Sequence, residues 1–234
     1  IQDIEKFRNL GKKNILQEHE NIFENDFIFV TIGRLVQQKA QWNLIRCFKK
    51  VNDQIKNTKL IILGDGPLKK NLLDLAKRLN IENNVFLLGH ISNVFPYLKK
   101  SHCFILTSQW EGFGNVLTEA LSQNIPVIST DCNSGPREIL CPAISLDDKI
   151  NYPFFGKYGI LIKKFDEKMF FNTIEETPLS EEENVCSDLM IKMVTNKSLS
   201  KKYSNGLKRA DDFSINKIIP KWDKLLEEIS EKNA

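Results

Sequence analysis

The sequence predicts an α/β fold: a doubly wound parallel sheet of about six strands flanked by helices, followed by a helical C-terminal tail. Three observations support this prediction. Short apolar runs alternate with longer amphipathic segments, most runs end at a glycine or a hydroxyl residue, and the pattern becomes wholly helical after about Phe165. Near-continuous apolar strands are typical of parallel sheets buried on both faces. Strand–helix alternation at this spacing implies right-handed βαβ units.

Six segments carry the strand pattern, the last of them more weakly than the others. They are Asp26–Gly33, Lys59–Gly64, Asn84–Gly89, Cys103–Thr107, Pro126–Thr130 and Gly159–Ile162. A segment with two nearby prolines and little periodicity, Asp147–Lys157, is predicted to be a long loop.

Amphipathic segments predict the helices. Two lie between strands, and three charged ones form the tail, where we expect them to cover the sheet. These segments are Trp42–Ile55, Leu68–Leu79, Leu179–Val194, Leu199–Phe213 and Ile215–Ile229. An Asn-Gly pair at Asn205-Gly206 predicts a break within the tail.

Length, composition and charge exclude several classes of protein. The chain has 234 residues, of which 41% are hydrophobic and 27% charged, so it is not disordered, collagen-like or a disulfide scaffold. The formal charge of +3 argues against a dedicated nucleic-acid binder. No apolar run approaches the roughly 20 residues that span a bilayer. We expect a cytoplasmic protein; its Lys-Lys pairs leave open a peripheral contact with the inner face of the membrane, beside the simpler interpretation of solvated helix faces.

Cysteine and histidine patterns predict a protein without a metal or other cofactor. Five scattered cysteines without a CxxC pair indicate reduced thiols in a cytosolic protein, several of them packed as small apolar residues. The three histidines form no HExxH or His/Cys ligand cluster. The absence of an Asp-x-Asp pair argues against a nucleotide held through a carboxylate-bound divalent metal.

Ligands of an open parallel sheet bind beyond the carboxyl ends of the strands, where helix N-termini offer amide groups. Gly33 allows close backbone approach there, and Arg34 and Lys39 follow it, so both cations can converge on one anion. The alternative is two solvated surface charges. The turn at Gly64–Pro67 lacks the third glycine of a dinucleotide fingerprint, which favours a plain strand–helix turn, and His90 alone is more typical of a loop histidine than of a catalyst.

The most specific signal is the segment WEGFGNVLTE, residues 110–119. Glu111 falls in the loop after a strand, glycines flank Phe113, and a helix starts around Asn115, which places Glu119 one turn into it. Both carboxylates can face one cleft, with the free amides of residues 113–116 between them. Alternatively, Glu119 complements the helix dipole and Glu111 is a solvent-facing loop acid, which leaves the two glycines unexplained. A further glycine turn, Ser134–Glu138, opens another helix.

Together these segments resemble the nucleotide-sugar half of the family 4 retaining glycosyltransferases (glycosyl transferases group 1), which have the two-domain GT-B fold. The resemblance runs from about Phe27 to Leu140, with a family-like helical tail to about Ile229. It rests on GRLVQQK, LGDGPL, LLGHISNV, WEGFGNVLTEAL, NIPVIST and GPREIL in the family's order. It implies a Rossmann-like donor domain over residues 26–234 with its helical tail at about 179–230. It further implies an interdomain connector over residues 1–25 and an acceptor-binding N-terminal domain absent from this chain.

The activity implied by the resemblance is that of a metal-independent hexosyltransferase. It transfers sugar from a nucleotide-diphosphate sugar, a UDP-sugar, to a saccharide or lipid-linked acceptor with retention of configuration. The pathway implied is the synthesis of bacterial surface polysaccharide or lipid-linked oligosaccharide. The isolated domain is expected to be inactive.

Residue roles also follow from the resemblance. Arg34 and Lys39 would hold the diphosphate, Glu119 the ribose hydroxyls and Glu111 the transferred sugar. The remaining implied substrate-binding residues act largely through their backbone: Gly33, His90, Ile91, Gly112, Phe113, Gly114, Asn115 and Val116. One departure is Ala40, which stands where the family usually has glycine, so the next helix is expected to start slightly differently.

Other classes stay open from the residues alone. A glycoside hydrolase could use Glu111 and Glu119 as its carboxylate pair, but nothing near them in sequence supplies an apolar pocket for the acid. A GT-B-related sugar-nucleotide epimerase or phosphorylase shares the fold. A non-catalytic nucleotide-binding module would keep the fold without turnover.

Overall fold

A computed structural model describes residues 2–24 and 26–232, and in this part of the chain seven strands form one sheet. In chain order they are β1 (Phe27–Ile32), β2 (Thr58–Leu63), β3 (Val85–Gly89), β4 (Cys103–Leu106), β5 (Val127–Thr130), β6 (Phe154–Phe155) and β7 (Ile160–Ile162). Their order across the sheet is β3-β2-β1-β4-β5-β7-β6, and every pairing is parallel except that of β6 with β7. The predicted connector and tail include residues 1, 25, 233 and 234, which lie outside the described residues.

Helices cover both faces of this sheet. The helices of the described residues are α1 (Ile4–Leu10), α2 (Gln41–Gln54), α3 (Lys69–Arg78), α4 (Phe95–Lys100), α5 (Asn115–Ser122), α6 (Pro136–Leu140), α7 (Glu181–Thr195), α8 (Lys197–Tyr203), α9 (Leu207–Asp211) and α10 (Ile215–Lys232). One apolar core lies between the sheet and α2, α3, α7 and α8, and a second lies between the sheet and α1, α4, α5, α6 and α9. The predicted doubly wound α/β fold and its six predicted strands are confirmed.

The order of the strands places a crevice at the centre of the sheet. The chain runs from β1 through β2 to β3 at one edge, and then crosses back to lay β4 against the other side of β1. In that pairing Phe29 lies opposite Cys103 and Val30 opposite Phe104. The loops after β1 and β4 therefore diverge from adjacent strand ends, which is where open α/β sheets bind ligands.

The prediction of a long loop over Asp147–Lys157 is wrong in one part, because it contains β6. This strand has only two residues, Phe154 and Phe155, which pair antiparallel with Leu161 and Ile160 of β7. Two residues are too few to show the alternation that identifies a strand in sequence. Antiparallel pairing with β7, the next strand along the chain, creates this strand.

The tail is helical as predicted, and the Asn-Gly break separates α8 from α9. The expectation that the whole tail covers the sheet is wrong for α10. Its apolar side chains Ile219, Trp222 and Leu226 are 41–57% exposed. The amphipathic pattern predicts an apolar face but does not say which surface covers it. None of the described helices has the length and hydropathy that crossing a bilayer requires.

A buried ion pair joins α7 of the tail to α2, which packs on the sheet. Arg46 of α2 places its Nε 2.7 Å from Oε1 of Glu183 on α7, and the two side chains are 0% and 2% exposed. The other guanidinium nitrogens donate to the carbonyl groups of residues 172, 173, 177 and 178. Glu183 also accepts from the Ser180 amide at 2.9 Å and so caps α7. One arginine thus fastens α7 and the preceding segment to α2.

All five cysteines are buried free thiols, which confirms that they pack as small apolar residues. They are Cys47, Cys103, Cys132, Cys141 and Cys186. Burial raises the pKa of the Cys132 and Cys141 thiols to about 12, because a thiolate loses its hydration in the core. These two side chains are therefore uncharged at neutral pH and contribute packing.

Candidate functional site

A cleft of about 400 Å³ opens beyond the carboxyl ends of β1, β2 and β3, beside α5. It contains six of the residues that the sequence predicts for the site, together with the turn after β2. The residues lining it are Ile32, Gly33, Arg34, Leu63, Gly64, Asp65, His90, Ile91, Val94, Val116 and Glu119. The structure therefore brings the residues after β1 and β3 together with the first turns of α5.

Glu119 projects from α5 into this cleft and is half-buried. Burial raises the pKa of its carboxyl group above the ordinary value, because the charged form loses hydration. No side chain or amide of the described residues donates a hydrogen bond to this carboxylate. It is therefore available to accept hydrogen bonds from the hydroxyl groups of a ligand.

Arg34 also lines the cleft, directly after β1, and its side chain is exposed. The carbonyl group of Arg34 accepts a 3.0 Å hydrogen bond from Nε2 of Gln41, which fixes the backbone to the start of α2. Within residues 2–24 and 26–232, no carboxylate pairs with the guanidinium. An unpaired cation and an unpaired carboxylate thus line the same cleft.

Lys39 pairs with a carboxylate from the loop after β4. Its aliphatic chain crosses Gly33 so closely that a Cβ there would lie 3.1 Å from Lys39 Cε. Its Nζ lies 2.5 Å from Oε1 of Glu111, and the two side chains are 15% and 8% exposed. Lys39 is thus neutralised by Glu111, because two opposite charges this close attract each other strongly where little water screens them.

The position of Glu111 differs from two expectations. Glu111 is not a solvent-facing loop acid, and it does not share the lining of the cleft with Glu119. The loops after β1 and β4 are fastened together around the pair. Thr107 Oγ1 donates to the Lys39 carbonyl at 2.8 Å, and Gln38 Nε2 donates to the Trp110 carbonyl at 2.7 Å.

The N-terminus of α5 faces the same region with unpaired amide groups. Gly114 precedes the helix at φ +81°, a left-handed conformation that glycine adopts most readily. None of the amide N–H groups of residues 113–116 has an acceptor within the part of the chain that is described. Together with the helix dipole, such amides favour an anionic or oxygen-rich ligand.

The turn after β2 is the plain strand–helix turn that the sequence favours. Asp65 accepts the Gly66 amide at 2.7 Å and the Lys69 ammonium at 3.2 Å. These contacts lower the pKa of the Asp65 carboxyl, with the Gly66 amide contributing most. Asp65 is thus neutralised locally and adds little net charge to the cleft. Near the same edge, Ala40 begins α2 at φ +47°, a left-handed conformation in which glycine would be less strained.

Two residues beside Glu111 were not predicted as part of the site. The Ser134 hydroxyl lies 2.9 Å from the carbonyl oxygen of Glu111 and 2.7 Å from that of Gly112. Gln38 holds the Trp110 carbonyl. Both contacts bridge segments more than 20 positions apart, and no local sequence signal marks them. Among the described residues, no group of three or more His, Cys, Asp or Glu side chains could hold a metal ion.

Comparison with known proteins gives one family. The sequence profile described as Glycosyl transferases group 1 matches residues 12–184, more than half of the chain. A glycosyltransferase of Methanocaldococcus jannaschii is 52% identical over 227 residues, which cover 97% of this chain and 56% of that protein. A Campylobacter jejuni diphospho-undecaprenol 4-alpha-N-acetylgalactosaminyltransferase is 35% identical over 167 residues, covering 71% of this chain and 40% of that protein. The chain thus spans about half the length of the curated relatives it matches.

Solved structures show the same fold. The Anabaena protein HepE, in complex with UDP, superposes with a TM-score of 0.72 at 19% identity, over 97% of this chain and 56% of that one. At this identity the likeness shows the fold alone. It confirms the predicted Rossmann-like α/β fold, which GT-B proteins share.

Proposed function

The chain belongs to the glycosyl transferases group 1 family, and on this premise we propose that it binds the nucleotide-sugar donor, a UDP-sugar, of a retaining hexosyltransferase. The observation that carries the proposal is the unpaired Arg34 guanidinium and the unpaired Glu119 carboxylate lining one cleft beside the open N-terminus of α5. A nucleoside diphosphate presents both an anion and a pair of ribose hydroxyls, so it complements these two groups.

Each part of the donor has a candidate partner. In this proposal Arg34 holds the diphosphate, Glu119 accepts hydrogen bonds from the ribose hydroxyls, and His90 and Ile91 lie against the base. The amides of residues 113–116 approach the phosphate and the sugar. The diphosphate gains negative charge as the glycosidic bond breaks, so cations and aligned amides stabilise it without a metal ion.

The sugar acceptor is expected to bind elsewhere. A saccharide or lipid-linked acceptor, in polysaccharide or lipid-linked oligosaccharide synthesis at the cytoplasmic side of a membrane, would bind to the part of the longer relatives that this chain does not cover. We therefore expect these 234 residues to bind the donor without transferring its sugar.

A glycoside hydrolase that uses Glu111 and Glu119 as a carboxylate pair finds no support in the geometry. Retaining hydrolysis needs two carboxyl groups on either side of one glycosidic bond. Glu111 is bound to Lys39, whereas Glu119 lines the cleft without it. An epimerase or phosphorylase would use the same donor cleft, and no observation favours either over transfer.

Calorimetric titration of UDP into the wild type and the Glu119→Gln variant tests the proposal. The substitution is expected to weaken UDP binding by about 10-fold to 150-fold, because hydrogen bonds to a charged acceptor contribute about 1.5–3 kcal/mol. It should also remove the preference for UDP over 2′-deoxy-UDP. Titrations of GDP and ADP in EDTA-containing buffer serve as controls for the base and for metal independence. A wild type that binds no nucleoside diphosphate would overturn the proposal, and equal binding of UDP and 2′-deoxy-UDP would remove Glu119 from it.

Replacing Glu111 is expected to have the opposite effect on UDP affinity. Glu111→Gln should strengthen UDP binding by about 3-fold to 10-fold, because it frees Lys39 and removes a negative charge near the phosphates. The same titration measures it, with Glu119→Gln as the matched control of equal chemistry. Weaker UDP binding by Glu111→Gln would show that the Lys39–Glu111 pair does not compete with the diphosphate.

A further inference from the structure

Two side chains from distant parts of the sequence hydrogen-bond to the backbone of the loop that carries Glu111. Gln38 donates to the Trp110 carbonyl at 2.7 Å, and Ser134 lies 2.9 Å and 2.7 Å from the carbonyl oxygens of Glu111 and Gly112. Within the described chain, Gln38 and Ser134 are the side chains that hydrogen-bond to the carbonyl groups of residues 110–112. The Glu111 carboxylate itself is held by Lys39.

Ser134 belongs to a turn that presses against this loop. Its φ is +62° and that of Gly135 is +78°, so two successive residues adopt the left-handed conformation. A Cβ added at Gly135 would lie 2.0 Å from the Phe113 carbonyl oxygen, which shows how closely the turn and the loop approach. Glycine would adopt φ +62° with less strain than serine. What serine adds at this position is its hydroxyl group.

From these contacts we propose that Ser134 is a positioning residue for the sugar part of the donor. Its single hydroxyl proton lies within reach of the carbonyl oxygens of Glu111 and Gly112, and of that of Asn133 at 2.7 Å. By donating to the loop, the hydroxyl sets the direction of the Glu111 side chain and of the amides that follow. This inference rests on the proposed function. When a diphosphate draws Lys39 away from Glu111, the Ser134 hydroxyl keeps the loop in place.

The geometry separates this role from nucleotide binding. Arg34 and Glu119 line the cleft, whereas the Ser134 hydroxyl contacts the loop beside the cleft and the carbonyl group of its neighbour Asn133. Loss of the hydroxyl should therefore leave binding of UDP nearly unchanged and reduce the additional affinity that the sugar provides. A residue needed only for folding would weaken both equally.

The test compares the Ser134→Gly variant with wild type, because glycine keeps the left-handed backbone and removes only the hydroxyl. The probes are UDP, UDP-glucose, UDP-galactose, UDP-N-acetylglucosamine and UDP-N-acetylgalactosamine. We expect UDP affinity within about twofold of wild type and at least about a fivefold loss for the UDP-sugar that wild type prefers, the effect of one hydrogen bond. Ser204→Gly, which removes an exposed hydroxyl bonded to the Ser200 carbonyl, is the matched control.

Hydrogen exchange makes the proposal independent of the ligand. The amides of Gln109 and Leu117 flank the loop and donate to the carbonyl groups of Gln38 and Gly114, each at 2.8 Å. In the ligand-free protein, these two amides should exchange at least about fivefold faster in Ser134→Gly than in wild type or in Ser204→Gly. Equal exchange, equal losses for UDP and UDP-sugar, or no loss for either would overturn the role of Ser134. A wild type that binds no UDP would instead overturn the proposed function, and the exchange comparison would still decide the role of Ser134.

Discussion

Replacing Arg46 by leucine is expected to lower the free energy of unfolding by about 3–5 kcal/mol, the effect of removing one partner from a buried ion pair. Glu183 would lose its cation in a site that is 2% exposed. The carbonyl groups of residues 172, 173, 177 and 178 would also lose their donors. Urea denaturation followed by circular dichroism measures the change.

Two variants identify the cause. Arg78→Leu removes an arginine that pairs with Glu176 in the adjoining part of the same segment, but those side chains are 47% and 49% exposed, so we expect a loss of about 1 kcal/mol or less. Adding Glu183→Gln to Arg46→Leu should restore part of the loss, because no buried charge then remains unpaired. If Arg46→Leu costs no more than Arg78→Leu, the buried pair does not hold the tail.

Replacing Arg34 by alanine is expected to weaken UDP binding by about 30-fold to 1,000-fold, which corresponds to about 2–4 kcal/mol. The guanidinium is the unpaired cation that lines the cleft, so in the bound state it would meet the diphosphate without giving up a partner. Because the free side chain is exposed, the melting temperature without ligand should stay unchanged. Calorimetric titration measures the affinity.

The matched control is Lys69→Ala, which removes an exposed cation already paired with Asp65 at the edge of the same cleft. We expect this variant to bind UDP within about twofold of wild type, since an exposed pair of this kind contributes little. Equal UDP affinity of the wild type and Arg34→Ala would remove Arg34 from the phosphate site.

Much of the fold follows from the sequence because its signals are local. Each predicted strand is a short apolar run bounded by a glycine or hydroxyl residue, and the helices between strands repeat apolar residues at helical spacing. The positions of Arg34, His90 and Glu119 in one cleft follow from the same reasoning. Parallel strands end at one edge of the sheet, so the residues that follow them must meet there.

What the sequence does not reveal depends on contacts between distant segments. Lys39 could meet either an anion from outside or Glu111, and only the packing of two loops decides for Glu111. The Ser134 hydroxyl reaches carbonyl groups more than 20 positions away, which no spacing rule anticipates. For α10 the sequence shows a clear apolar face, but it does not show which surface, if any, packs against that face.

The crossing from β3 back to β4 gives the candidate site a place in the order of folding. Lys39 and Glu111 are separated by 72 positions, so we expect the cleft and its flanking loops to form only after β4 docks beside β1. Such non-local closure belongs to the slow, late part of folding. A ligand that spans the cleft therefore recognises the completed sheet and not its separate parts. Its stabilising effect should be expressed as slower unfolding, with the rate of folding left nearly unchanged.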